Sequence, residues 1–211
     1  VENVEFSPVQ KVALKPEAGQ LVLKKNRNMA FDGRVFAGFS VFEGKDYHFN
    51  YDDFAINMDS VRYLDLFIPS GETDRRGNPV ALSIASRIEH VEGSLLIDAP
   101  QNKAGRTDIP MFPSFNSTSP SYVFYDNPSI QGGCYKRDSF YFEINPFHFH
   151  SLDNYTRQDV TFDGKIVSAD IFPYIDETLE LQEDESLGVQ TETPPEGLIM
   201  YRGKGVYTGN M

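Results

Sequence analysis

Tyr47, Phe49 and Tyr51 alternate with His48, Asn50 and Asp52, and this two-residue period constrains the fold more than any other feature of the chain. Successive side chains of a β-strand point to opposite faces, so such a run describes a strand with one aromatic, buried face and one polar face. The next run, Phe54, Ile56 and Met58, keeps the period in the opposite phase, which requires a bulge or tight corner at Asp52-Asp53. A similar break occurs where Phe140, Phe142 and Ile144 are followed by Phe147 and Phe149, with Asn145-Pro146 between them. Phe49, Tyr51, Phe54, Ile56, Phe142, Ile144, Phe147 and Phe149 are therefore the expected core.

A second pattern, apolar-x-Gly-x, recurs along the chain. It is clearest in Phe31-Asp32-Gly33-Arg34-Val35 and Phe162-Asp163-Gly164-Lys165-Ile166, with shorter echoes at Val91-Glu92-Gly93-Ser94-Leu95, Ile130-Gln131-Gly132-Gly133-Cys134 and Tyr201-Arg202-Gly203-Lys204. Glycine at such places marks a positive φ or a close approach of two backbones. With the two phase breaks, the echoes predict an internal duplication of about 29–67 and 130–175, the alternative being chance recurrence of a common strand start. The expected architecture is all-β and mainly antiparallel: an elongated layered sheet, either β-solenoid-like or a sandwich. At most one short helix is expected near 80–91, where Val80, Ile84, Ile88 and Val91 share a helical face, although Leu82, Ile84 and Ser86 also fit a strand.

Pro69 to Pro79 and the Pro- and Ser-rich stretch from Pro100 to Pro128 are expected loops, the second holding a strand at Tyr122 to Tyr125. The acidic stretch Asp176 to Glu185, with Leu179 and Leu181 alternating, is expected to be part strand. No linker divides the chain, so residues 1–211 are expected to form a single β-rich module. The absence of Met at position 1 and the strand-like run Gly205 to Met211 suggest a segment excised from a longer protein.

The sequence has 31 acidic and 19 basic residues, a net charge of −12 that disfavours nucleic acid and anionic membrane surfaces as partners. No run approaches the ~18 apolar residues of a membrane-spanning helix, so this segment is not expected to insert in a membrane. The single Cys134 rules out an internal disulfide, and its neighbours match no catalytic cysteine signature. Gly203-Lys204-Gly205 lacks the spacing and the following Ser or Thr of a phosphate loop, and no other cofactor motif is present.

Residues i and i+2 of a strand share a side, so His148 and His150 are weak candidate metal ligands, but no third ligand is spaced to complete a site. Asp52, Asp53 and Asp163 are the acids that a glycoside hydrolase would draw on, a role that requires two of them to converge across a cleft. Phe112, Phe115, Tyr122 and Tyr125 are candidate binding residues in the 100–128 stretch, since a flat aromatic face stacks on a sugar ring. The alternative is that these rings cap an open end of the core.

Several phrases add a resemblance: Phe31-Asp32-Gly33-Arg34-Val35, Ile97-Asp98-Ala99-Pro100-Gln101-Asn102-Lys103-Ala104-Gly105, Thr193-Pro194-Pro195-Glu196-Gly197 and Gly203-Lys204-Gly205-Val206-Tyr207-Thr208-Gly209. With these, the chain resembles segments of the large repeat-rich β proteins of bacterial cell envelopes, some with AsmA-like features. The resemblance implies an elongated β architecture, an extracytoplasmic location in the envelope or secreted, and a role in organising or spanning the envelope with a groove for lipid. It carries over no active-site residues. In one respect the chain departs from it: AsmA-type grooves have continuous aliphatic linings, whereas the inward faces here are crowded with Phe and Tyr.

The resulting functional expectation is a non-catalytic structural or interaction module whose partners are flanking domains of the same parent protein. A glycan- or lipid-binding module using 100–128 is the alternative, and an acid-dependent glycoside hydrolase is the third reading.

Overall fold

The structure, a computed structural model, describes residues 1–75, 77 and 79–209. Its strands are β1 (Val4–Ser7), β2 (Val12–Pro16), β3 (Val22–Leu23), β4 (Met29–Ala37), β5 (Ser40–Asn50), β6 (Ala55–Thr73), β7 (Pro79–Ser83), β8 (Ile88–Leu96) and β9 (Ser114–Ser117). They continue with β10 (Ser121–Phe124), β11 (Phe140–Ile144), β12 (His148–Phe149), β13 (Thr161–Ser168), β14 (Ile175–Leu181), β15 (Leu187–Gly188), β16 (Leu198–Met200) and β17 (Gly205–Tyr207). Fifteen of them form one antiparallel sheet in the order β1-β2-β4-β5-β6-β8-β10-β11-β13-β14-β15, so neighbours in the sheet follow chain order. Such local pairing keeps loop-closure costs low. The only helical segments among the described residues are short 3₁₀ turns.

The sheet forks at β8. Glu89 pairs with Tyr122 of β10, whereas Gly93 to Leu96 pair with β9, which in turn pairs with β12. The short branch then faces the main one across the core. Phe115 of β9 lies 4.9 Å from Phe42 of β5, and Phe147 lies 4.9 Å from Phe162 of β13, centroid to centroid. Residues 151–155 close one end: the Phe39 N–H donates to Leu152 O, and the Tyr155 hydroxyl donates to Phe39 O while accepting from the Phe67 N–H. Burial pushes the Tyr155 phenol up to about 12, so it remains a neutral donor at this closure.

Most of the expected core is buried: Phe49, Phe54, Ile56, Phe142, Ile144 and Phe149, with Tyr51 and Phe147 packed against it half-buried. The two phase breaks differ in structure. Asp52-Asp53 lies in the turn of the β5–β6 hairpin, where Asn50 pairs with Ala55. Asn145-Pro146 instead leads from β11 in the main branch to β12 in the short one. A duplication that matched these two breaks would therefore superpose two unlike connections.

The glycine echo has a common structural basis at three of its five sites. At Gly93 a side-chain carbon would lie 2.1 Å from Asn116 O and 2.6 Å from the ring tip of Phe115; at Gly164 it would lie 2.1 Å from Glu143 O and 2.6 Å from the ring of Phe142. Gly33, and Gly44 outside the echo, meet a neighbouring backbone in the same way. Each glycine lets the adjacent backbone approach, and at Gly93 and Gly164 an aromatic ring fills the remaining space, the device that allows a sheet to bend. The echoes at 130–134 and 201–204 fall instead in a 3₁₀ turn and in the β16–β17 turn.

One sequence expectation is met at its lower bound and one is corrected. Residues 80–91 contain no helix, within the expectation of at most one: 80–83 belong to β7 and 88–91 to β8, joined through the bend at 84–87, and Ile84 and Ile88 both face the core. The loop expected from Pro69 to Pro79 is shorter than its punctuation suggested, since β6 continues to Thr73 and pairs with β7; Arg76 and Asn78 lie outside the described residues, as do Asn210 and Met211 at the end of the strand-like run from Gly205.

Alanine at Gly93 or Gly164 is expected to destabilise the fold by about 3 kcal/mol or more, because the obstructing atom is a backbone carbonyl. Gly205→Ala, whose new carbon meets only Met200 Cβ at 4.0 Å, should stay within about 0.5 kcal/mol of the parent. Urea-unfolding midpoints check both; equal midpoints for all three variants would refute the close approach. Tyr47 is fully buried with no hydrogen-bond partner for its hydroxyl among the described residues. Tyr47→Phe should therefore leave the unfolding midpoint unchanged or raise it, since an unsatisfied buried hydroxyl is removed with the ring intact.

Candidate functional site

The register slips along a line that crosses several strands. Pairing shifts between Phe31 and Gly33 on β4, between Glu43 and Gly44 on β5, and between Met58 and Val61 on β6. The burial pattern slips with it, from Phe42 to Tyr47, from Met58 to Val61 and from Ile88 to Val91. Asp46 and His90 take positive φ of 56° at the slips, and the Asp46 N–H donates to Asp32 Oδ1 at 2.8 Å. Aligned bulges bend each strand at the same level and crease the sheet.

On the outside of the crease lies a groove of about 780 Å³ that crosses β2, β4, β5, β6 and β8. Its lining mixes charged side chains with the apolar Pro16, Ala18, Val61 and Val91. Arg34 of β4 is ion-paired with Glu43 of β5 at 2.7 Å, and Lys15 and Lys45 stand on either side. Asp59 and Arg62 of β6 face His90 and Glu92 of β8 across the interrupted ladder, where none of the four has a register partner on the opposite strand. All four are exposed. Among the residues that line the groove, four acids (Glu17, Glu43, Asp59 and Glu92) balance four formal cations, although the chain as a whole carries −12.

At one end His90 joins the groove to a cluster of rings on the outward face of β10 and β11. Its ring lies 6.2 Å from both Tyr122 and Phe124, and Tyr141 lies within 5.8 Å of the same two. The Arg137 guanidinium covers the Phe124 ring at 3.7 Å and is ion-paired with Glu89 and Asp126. These rings are half-buried, and their neighbours Ser121, Val123 and Phe142 point inward.

The four aromatic residues read from the 100–128 stretch do not form one site. Phe115 is in the core at 1% exposure, so its faces are unavailable to a sugar: β9 is a strand of the short branch rather than part of a loop. Tyr125 is half-buried against Phe140, and its hydroxyl donates to Leu187 O. Phe112 is half-buried beside Pro113, whose carbonyl accepts from the Leu152 N–H. Tyr122 alone belongs to the outward cluster. Sequence reasoning missed the groove because its charged residues lie far apart in the chain; the available signal was the pair of strand glycines, Gly33 and Gly44, that mark the crease.

His148 and His150 come together on the surface, their ring centroids 3.7 Å apart. Among the described residues no group of three or more His, Cys, Asp or Glu side chains could hold a metal ion. Asp52 and Asp53 lie in the β5–β6 turn, whereas Asp163 is on β13 and accepts from the Thr178 hydroxyl. Cys134 is exposed. Among the described residues no helix is long and apolar enough to cross a membrane. No protein-family model, curated protein or solved structure matches the chain.

Partial burial and the neighbouring His150 both hold the His148 pKa below the ordinary imidazole value. A lowered folded-state pKa means that the unfolded chain takes up protons first, so His148 contributes a stability loss as pH falls below about 6.5. His150→Gln should move the His148 titration back up in an NMR pH series and weaken that acid sensitivity; an unmoved titration would show that the rings do not interact in solution.

Proposed function

We propose that the chain is a non-catalytic structural and interaction module of a large cell-envelope or secreted protein, joined to flanking domains of the same parent through its sheet. The observation that carries this reading is the open sheet with an unpaired edge at each end. Among the described residues β1 is paired on one side only, and β14 pairs with β15 only through Glu180 and Leu181, leaving the outer edge of Ile175 to Leu179 without a strand partner among them. Unpaired strand edges are templates for a further strand. Asp176 and Glu177 on β14 guard that edge against indiscriminate pairing and favour a basic incoming strand.

The filled interior supports scaffolding over lipid carriage. Tyr47, Phe42, Phe115 and Phe142 are fully buried where a conduit would need open aliphatic space. The separation of Asp52 and Asp53 from Asp163 likewise supports a non-catalytic role, since glycoside hydrolysis needs two carboxyl groups flanking one bond.

Hydrogen–deuterium exchange tests the edges. In the isolated chain the outward amides of β1 and of Ile175 to Leu179 should exchange fast. The same peptides should be protected in the protein purified from its source, where the segment should occur in an envelope or secreted fraction within a polypeptide larger than 23.9 kDa. Equal exchange in both, or a polypeptide of 23.9 kDa confined to the cytoplasm, would overturn the reading.

A further inference from the structure

We infer that the crease groove binds a linear, uncharged glycan lying across β2, β4, β5, β6 and β8. This goes beyond the module reading and does not depend on it. Five neighbouring strands set the span at roughly four inter-strand spacings, about 19 Å, which suits a chain of several sugar rings.

The chemistry of the walls selects the ligand class. Each sugar hydroxyl both donates and accepts, so a polyol can serve carboxylates and cations at once. Asp59 offers acceptors, as does the Glu92 carboxylate, one oxygen of which already accepts from the Ser119 hydroxyl at 2.7 Å, while Arg62, Lys15 and Lys45 offer donors around the same space. Charge balance argues against the other classes. An anionic polymer would meet four carboxylates in the groove and a chain of net charge −12 around it, and a cationic one would meet four ammonium or guanidinium groups. A lipid tail would strip water from all of these charges without replacing their hydrogen bonds.

The direction of the groove separates a glycan from a peptide. A peptide adds to a sheet by running along an edge strand, whereas this groove runs across the strands at a point where the ladder between β6 and β8 is interrupted. A peptide laid there could not continue the ladder. Sugar hydroxyls, which project all round the chain, do not need strand alignment. The half-buried rings of Tyr122 and Tyr141, reached through His90, provide an aromatic margin beside the groove, while the Phe124 ring between them is covered by Arg137.

The test is titration of the ¹⁵N-labelled chain with neutral hexasaccharides of β-linked glucose, xylose, mannose and N-acetylglucosamine, alongside an oligouronate and an unstructured basic peptide. At least one neutral hexasaccharide should bind saturably and shift the amides of 59–62 and 90–92. Arg62→Ala and His90→Asn should each weaken that binding by about tenfold, a change of about 1.4 kcal/mol. Both side chains are exposed and Asn tolerates the positive φ at position 90, so the variants should fold; Asp59→Asn, nearly isosteric, is the second check and should also weaken binding. Lys136→Ala, on the loop before β11, should bind as the parent does. No shift with any neutral hexasaccharide, binding of the oligouronate or the peptide alone, or affinity unchanged in all three groove variants would overturn the inference. These outcomes leave edge exchange untouched, so failure here is distinguishable from failure of the module reading.

Discussion

The structure depends on the close approach of neighbouring strands at glycines in mid-strand. At Gly93 and Gly164 a carbonyl oxygen of the adjacent strand occupies space that any side chain would need, and a Phe ring tip closes what remains. A buried ring contributes ~150–250 Å² of contact, so each site exchanges the entropic cost of a strand glycine for aromatic packing. Gly33 and Gly44 extend the same arrangement into β4 and β5, where they coincide with register slips. Because the strands bend there, the short branch of β9 and β12 can turn back over the main branch and bring Phe115 onto Phe42. Without that bend the aromatic faces would look out into solvent.

The same slips shape the outer surface. A bulge that turns a strand inward leaves groups on its convex side out of register, and when bulges on adjacent strands align, those positions form a continuous channel. Asp59, Arg62, His90 and Glu92 owe their accessibility to this, and no loop contributes to most of the groove. A site built this way is held by the sheet itself, so its walls are as rigid as the ladder on either side.

The aromatic alternation made the strands legible, and the burial of Phe49, Ile56, Phe142 and Ile144 follows it directly. The meaning of apolar-x-Gly-x was legible in kind but not in place: Gly93 and Gly164 mark close approach, whereas Gly132 and Gly203 sit in turns, and four residues of pattern do not separate the two. Residues 80–91 were ambiguous because Val80, Ile84, Ile88 and Val91 satisfy a helical period by the accident of a turn between two strands and a slip at His90. The sequence around Phe115 has the character of a loop because its prolines and serines outnumber the strand signal of β9, which takes its stability from pairing with β8 and β12 rather than from local propensity. The groove could not be read at all, since which charges share a surface depends on the order and register of strands up to several tens of residues apart.

The distribution of charge ties the sheet's edges to its groove. Since acids and cations balance among the groove residues, the whole acidic excess of the chain lies elsewhere, part of it along the exposed edge of β14. Acidic side chains on an edge strand repel a second copy of themselves and so prevent self-association along that edge, while leaving its backbone groups able to accept a basic strand. A groove that shared this excess would present sugar hydroxyls with acceptors and few donors. On the two proposals made above, local neutrality within a strongly acidic surface would separate two kinds of contact on one sheet: selective pairing at the edges through backbone and charge, and hydroxyl recognition across the crease through paired donors and acceptors.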